Sequence, residues 1–304
     1  MPKGGEAVTK RKLWALILAS VMVLLLWRSA VAAEAMRRGL TLCARSVIPA
    51  LFPYFVVSGL FISLGFADGV GRRLEPLTRR LFGVGGAGAS AFFLGLLGGY
   101  PVGGRTVGQL YRAGRLSKDE AERLLAFCNN AGPSFILGVV GVGCFGSLRT
   151  GIYLYLVHAF SAVLVGILFR KKAPVSGQKV RYSAAFEPIA AFVRAVGEAA
   201  EGMVRLCGFV VFFLVILALI TDLTGLNHPV LLGLAELTTG VTALKGRPGD
   251  LVWAAALLGW GGLSVHGQTA AVLSDTDLGL GRYFLGKILQ AIFSAGAVTF
   301  GEIW

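Results

Sequence analysis

The most polar stretch inside an apolar region of this sequence is Phe127-Cys128-Asn129-Asn130-Ala131-Gly132-Pro133-Ser134. Adjacent asparagines offer amide donors and carbonyl acceptors in a small volume, and Pro133 removes a backbone donor beside them. Asn129, Asn130, Gly132 and Ser134 are therefore candidates to hydrogen-bond a polar solute. The alternative is that they join helices to one another, as polar side chains in membrane bundles do. Glu236 stands within the apolar run 231–244, where a carboxylate is costly and such groups are functional. Two roles suit it: responding to a proton or Na+ gradient, or fixing a helix end through Thr238 and Thr239. His266 carries the same pair of readings, a coupling residue or a structural hydrogen bond.

Two glycine-rich stretches read as versions of each other. Gly98-Gly99-Tyr100-Pro101-Val102-Gly103-Gly104-Arg105-Thr106 has a counterpart in Gly261-Gly262-Leu263-Ser264-Val265-His266-Gly267-Gln268-Thr269, and each follows a segment with a carboxylate, Glu75 or Glu236. A helix broken inside a bilayer leaves backbone groups that only protein, water or ligand can satisfy. Its N-terminal ends attract anions, its free carbonyls hold cations, and glycine permits a ligand to come close. Two related halves with such breaks form the pattern of a secondary transporter, with the solute held where the breaks meet. Gly99, Tyr100, Pro101, Gln268 and Thr269 join the asparagines as solute-binding candidates. The first copy reads as the binding half, and the second, with Glu236, Thr238, Thr239 and His266, as the coupling half.

The elements that position these residues are membrane helices. Of 304 residues 55% are hydrophobic and only 15% charged, against about a quarter charged in soluble domains. Mean hydropathy is +0.73. Apolar runs at 13–27, 47–66, 124–145, 151–169, 203–221 and 283–300 approach the ~20 residues a helix needs to cross a bilayer. The expected fold is all-α and polytopic, about six spans plus two re-entrant or broken segments in inverted repeats. The net charge of +13 falls at the ends of these runs, in Lys10-Arg11-Lys12, Arg72-Arg73, Arg79-Arg80, Arg170-Lys171-Lys172, Lys179 and Arg181. That placement reports topology and argues against nucleic acid. Counting from it, 87–99 enters from the cytoplasmic side and returns, and both termini lie in the cytoplasm. The first helix is expected to stay uncleaved. A polar linker covers 174–181, and the helical spacing of Phe186, Ile189, Val193 and Val196 marks an interfacial helix or the start of the next span. Ser117 reads as a helix N-cap, with the charges that follow on a solvated face, and Glu75 as an interfacial ion-pair partner.

Gly98-Gly99-Tyr100-Pro101-Val102-Gly103-Gly104, the segment 116–125 beginning Leu116-Ser117-Lys118-Asp119-Glu120, and Asn129-Asn130-Ala131-Gly132-Pro133 together resemble the YlbJ-like sporulation integral membrane proteins. Those belong to the nucleoside-recognition or Gate domain group, similar to parts of concentrative nucleoside transporters. The resemblance runs from about Pro49 to Phe300. It implies a transporter of endospore-forming bacteria, which in the best-known branch moves dipicolinic acid into the forespore. On that basis the chain divides into an N-terminal membrane helix and connector (1–46), a first Gate-like repeat (47–170), a basic linker with an interfacial helix (171–202) and a second Gate-like repeat (203–304). Dipicolinate, a small aromatic dianion, suits helix N-termini and aromatic neighbours; a nucleoside suits the amides of Asn129, Asn130 and Gln268. A gate or scaffold that works only with a partner is the further alternative. No enzyme is expected, since no nucleophile stands with a base. Cys43, Cys128, Cys144 and Cys207 form no CxxC pair and the histidines no ligand spacing, so neither a metal nor another cofactor is expected. The expected partners are a small solute, H+ or Na+, and the lipid bilayer.

Overall fold

Residues 4–63, 66–171, 187–244 and 246–301 are described by the computed structural model, and every regular element among them is helical. The linker at 174–181, with Lys172, Lys179, Arg181 and Phe186, lies outside the described residues. Helix α1 (Gly4–Trp27) contains the apolar run 13–27 and meets α2 (Ser29–Leu42) at 93°. A π-helical stretch, Cys43–Val47, leads α2 into α3 (Ile48–Ser63). Pro49 cannot donate to the preceding turn and its ring crowds it, which the wider π turn relieves.

This long element runs antiparallel along α9 (Pro188–Thr224). Arg28 meets Asp222 at 3.4 Å at one end, Gly39 packs on Val211, and Gly59 packs on Ala195 toward the other. At 37 residues, α9 extends about 55 Å, well beyond the ~30 Å hydrocarbon layer. The helical spacing around Ile189 and Val193 is therefore the start of this span rather than a separate helix. With α8 (Leu148–Leu168) and α14 (Gly281–Gly301), α9 is long and apolar enough to cross a membrane, and the bent pairs α1–α2 and α4–α5 raise the number of spans to as many as five. The protein is an all-α polytopic membrane protein.

Between these spans lie shorter helices. Helix α4 (Phe66–Phe82) places Arg72, Arg73, Arg79 and Arg80 on one polar face and pairs Glu75 with Arg79 at 2.7 Å, as expected of an interfacial helix. It turns by 93° into α5 (Gly86–Gly98), which is followed by α6 (Val102–Arg112) and α7 (Lys118–Cys128). The expected continuous span at 124–145 is broken: α7 stops at Cys128, and a second π-helical stretch, Ser134–Cys144, resumes beyond Pro133. On the far side of α9 come α10 (Pro229–Ala235), α11 (Leu237–Ala243), α12 (Asp250–Trp260) and α13 (Gly262–Val272).

One end of the bundle is stitched by charge. Arg112 pairs with Asp275 at 2.7 Å, Lys118 with Asp277 at 2.9 Å, and Asp119 with Arg282 at 2.9 Å and Lys171 at 3.4 Å. Partial burial pushes the Asp119 carboxyl up, but Arg282, Lys171 and Arg123 outweigh it and hold the group below its usual range. Ser117 caps α7 by accepting from the N–H of Glu120 at 3.3 Å, as its spacing predicts. The α7 charges do not form a solvated face, however. Glu120 accepts from the N–H of Gly85 and Arg123 donates to the carbonyl of Phe82, and both are buried. Those contacts satisfy the open turn between α4 and α5, a demand invisible in the local sequence.

Helix α14 starts at this charged end, and Gly301 lies against Tyr153 near the start of α8. Since α8 finishes at the charged end beside Lys171, α14 finishes at the opposite end. Ahead of it, α12 and α13 together carry the chain across to Asp275, a crossing that counting apolar runs omitted.

Candidate functional site

Four interruptions meet in the middle of the bundle. The first is a hairpin. A Cβ added to Gly95 would lie 3.1 Å from the Cα of Gly103, eight residues on, so α5 and α6 fold back on each other around a tip at Gly99, Tyr100 and Pro101. Gly99 has φ +77°, a conformation that glycine adopts without cost. The end of α7 lies in the crook, where the Cys128 carbonyl would be 1.7 Å from a Cβ at Gly95 and 2.0 Å from one at Gly103.

The second interruption is also a hairpin. A Cβ at Gly240 would lie 2.1 Å from the Cα of Gly233, so α10 folds back on α11 around Glu236. Helix α9 carries the chain past Glu198, which pairs with Arg105 at 2.8 Å, to a left-handed Gly225, so this hairpin enters from the end opposite to the first. The other two interruptions are broken helices: α7 to the π stretch at 129–133, and α12 to α13 at Gly261 (φ +91°) and Gly262 (φ +82°). Neither pair folds back on itself.

Hairpin, broken helix and span thus recur in that order on each side of α9. The structural counterpart of Gly99-Tyr100-Pro101 is therefore the Glu236 tip, and the counterpart of Gly261-Gly262 is the break after Asn129. Sequence similarity had matched the first hairpin to the second broken helix, because both carry Gly-Gly next to a bend. Spacing of glycines that face each other, Gly95 with Gly103 and Gly233 with Gly240, separates the two cases.

Each break abuts its own hairpin tip, Gly132 against Gly99 and Gly262 against Leu237. Tyr100 crosses between the halves, donating to the Leu258 carbonyl at 3.0 Å. A cavity of about 50 Å³ lies where they meet, lined by Gly99, Tyr100, Gly132, Glu236, Thr238 and Gln268 among the expected site residues. Ser264 lines it too. Both the hydroxyl of Ser264 and the amide oxygen of Gln268 are buried there without a hydrogen-bond partner among the described residues. Buried polar atoms are rarely left so.

Glu236 caps α11. Its carboxylate accepts from the N–H groups of Thr238 (3.0 Å) and Thr239 (2.6 Å) and from the Thr239 hydroxyl (2.7 Å). The helix-fixing role therefore holds in this conformation, and the same side chain faces the cavity.

The other expected residues sit behind the cavity wall. Asn129 donates to the Thr269 hydroxyl at 2.8 Å and accepts from the Gly104 N–H at 3.3 Å. Asn130 donates to the Phe127 carbonyl at 2.8 Å and accepts from Gln290 at 2.9 Å. His266 shares a hydrogen bond of 2.8 Å with Tyr283, which also contacts Thr269 at 3.2 Å. These contacts match the reading in which the asparagines and His266 hold helices together. Ser134 starts the π stretch two residues on from Gly132, outside the cavity lining. Pro101 instead lines a larger cleft of about 760 Å³ between α3, α6, α9 and α13, whose walls carry Arg105, Arg112, Arg194, Arg205, Glu198 and Asp275. Leu206 and Gln268 line both spaces and form the partition between them.

Sequence reasoning missed Lys287 and Gln290 on α14 and His158 on α8, all buried at the core of the bundle. A lone lysine inside the apolar run 283–300, with glutamine three residues on, was the available signal. Among the described residues, no group of three or more His, Cys, Asp or Glu side chains stands in position to hold a metal ion, and the four cysteines are free.

No family model matches the chain, and no solved structure matches it. Among curated proteins it is similar to the sporulation integral membrane protein YlbJ of Bacillus subtilis (strain 168), at 29% identity over 86% of this chain and 75% of that one. That similarity runs across most of both chains, and with the all-helical membrane fold it makes this chain similar to the YlbJ-like integral membrane proteins.

Proposed function

We propose that this protein is a secondary transporter of a small polar or anionic solute and that, like the relative named for sporulation, it serves spore formation, with dipicolinate as the first solute to test. The observation that carries the reading is the central cavity, where two oppositely entering hairpins and two broken helices converge on unpaired Ser264 and Gln268. The starts of α13 and of the π stretch after Pro133 border it and contribute partial positive charge beside the Glu236 carboxylate. The Ser264 hydroxyl supplies a donor for a carboxylate once the solute is present, and the Gln268 amide oxygen an acceptor for a solute N–H or O–H.

Size decides the state. A cavity of about 50 Å³ holds a water molecule or two, whereas ligand pockets run to several hundred Å³. The conformation is therefore closed, and a solute enters only when a hairpin or broken helix moves. The partition of Leu206 and Gln268 faces the 760 Å³ charged cleft, which makes that cleft the access route on the basic side. Protonation of Glu236 would withdraw an acceptor from the start of α11 and loosen the second hairpin, which gives a route for proton coupling. The amides of Asn129 and Asn130, engaged within the protein, give no support to a nucleoside.

Purified protein in liposomes tests the reading. Expected is time-dependent uptake of labelled dipicolinate, without added protein partner, competed by other small dicarboxylates and not by nucleosides. Folded protein that neither binds nor moves any of these solutes would overturn it in favour of a partner-dependent gate.

A further inference from the structure

Lys287, in the second turn of α14, is fully buried among oxygen acceptors. Its Nζ contacts the Asn129 carbonyl, Gln290 Oε1 (2.7 Å) and the Tyr100 hydroxyl (3.5 Å). Each partner is an acceptor there. A carbonyl cannot donate, and the Tyr100 hydrogen is spent on the Leu258 carbonyl. The Gln290 amide is oriented by a chain of contacts: Asn130 donates to the Phe127 carbonyl, so its Oδ1 faces Gln290 and takes that residue's N–H, turning Gln290 Oε1 toward Lys287. The ammonium form supplies one N–H for each of these three acceptors, a match the neutral amine lacks.

This ammonium forms no ion pair with a carboxylate among the described residues, though an unpaired buried charge is expensive. Its compensation comes from backbone and neutral side chains. It sits at the broken C-terminal end of α7, where helix carbonyls carry partial negative charge, and 5.2 Å from the centre of the Tyr100 ring. A backbone carbonyl at a helix break, an amide oxygen and a hydroxyl form the oxygen set that a bare monovalent cation would need. The site also joins three parts of the molecule: the first hairpin tip through Tyr100, the first broken helix through Asn129, and α14.

We propose that the Lys287 ammonium is a tethered cation filling a monovalent-cation site between the first hairpin tip, the first helix break and α14, so that the protein needs no Na+ or K+ there and becomes dependent on one when the amine is removed. The site is described by its hydrogen bonds alone and does not rest on the transport reading.

The test is thermal stability of the purified full-length protein in NaCl, KCl or choline chloride at equal ionic strength. Wild type is expected to melt at the same temperature in all three. Lys287→Ala, which vacates the oxygen cage, is expected to melt lower in choline and to gain roughly 5 °C, saturably, with Na+ or K+. Lys287→Met keeps the cage filled by an uncharged chain and is expected to show no such gain. Recovery of Lys287→Ala only from cells lysed in Na+ or K+ would be the same result in a stronger form. A saturable Na+ gain in wild type, an alanine variant no more responsive than the methionine one, or loss of the alanine variant in every salt would each overturn the proposal. Because the readout is stability, its failure is distinct from a failure of solute uptake.

Discussion

The two halves share an order of hairpin, broken helix and span, yet they satisfy their interruptions in different ways. In the first half the break after Cys128 is closed by side chains from elsewhere: Asn129 to Thr269, Asn130 to Gln290, Lys287 to the Asn129 carbonyl, and the Ala131 N–H to His158. In the second half the hairpin tip caps itself through Glu236, while the break at Gly261 leaves Ser264 and Gln268 unspent toward the cavity. The first network, satisfied but for His158 Nδ1, ties several elements together and rigidifies them, and the unsatisfied pair that lines the cavity is the part that a ligand can complete. Under the proposed transport reading, the first break serves as scaffold and the second meets the solute, the reverse of what polarity along the chain implies.

The equivalence of the hairpins carries the largest expected effects. Gly95→Ala and Gly240→Ala each drive a methyl into backbone, at 1.7 Å and 2.1 Å, and are expected to cost about 3 kcal/mol or more. Gly138→Ala, with nothing within 4 Å, is expected to leave stability unchanged. Melting of the detergent-purified variants checks this; two hairpin variants as stable as Gly138→Ala would dissolve the pairing of the hairpins. Next in size is the scaffold claim. Asn129→Ala strands the Gly104 N–H and takes one of its partners from the Thr269 hydroxyl, and is expected to cost about 2 kcal/mol. A double-mutant cycle with Thr269→Val should return a coupling of about 1 kcal/mol between the halves. Zero coupling would mean that the first break does not hold the second.

Much of this architecture was legible in the chain. Charge below that of soluble domains gave the class, the apolar runs at 151–169, 203–221 and 283–300 gave the long helices, and Gly98-Gly99 and Gly261-Gly262 gave two of the breaks. Ser117 and Glu75 were placed by spacing alone, since their partners are three and four residues away. The rest depended on contacts across long separations. Whether Gly-Gly folds a helix back or merely breaks it is decided by what faces it, and Gly103 faces a carbonyl from α7 while Gly262 faces the turn at Leu237. Asn129 and Asn130 looked unspent because their partners, Thr269 and Gln290, stand 140 and 160 residues away. Lys287 was hidden by averaging, one charge diluted in a run of apolar neighbours.

The second half yields the two smaller stability effects and the sharper functional ones. Glu236→Gln keeps one acceptor for α11 but turns an NH2 toward the other N–H, and is expected to cost about 1 kcal/mol. If the carboxylate couples a proton, the pH dependence of uptake should also flatten; a wild-type pH profile in the variant would leave Glu236 as a cap and nothing more. The smallest change in stability belongs to Ser264→Ala. Its hydroxyl has no partner to lose, so melting should be unchanged or slightly raised, whereas a donor that meets a carboxylate only in the loaded state contributes to binding alone. Solute affinity should then fall about tenfold, the equivalent of one hydrogen bond to a charged group. Destabilisation of the empty protein with unchanged affinity would move Ser264 to the scaffold and leave the two halves alike.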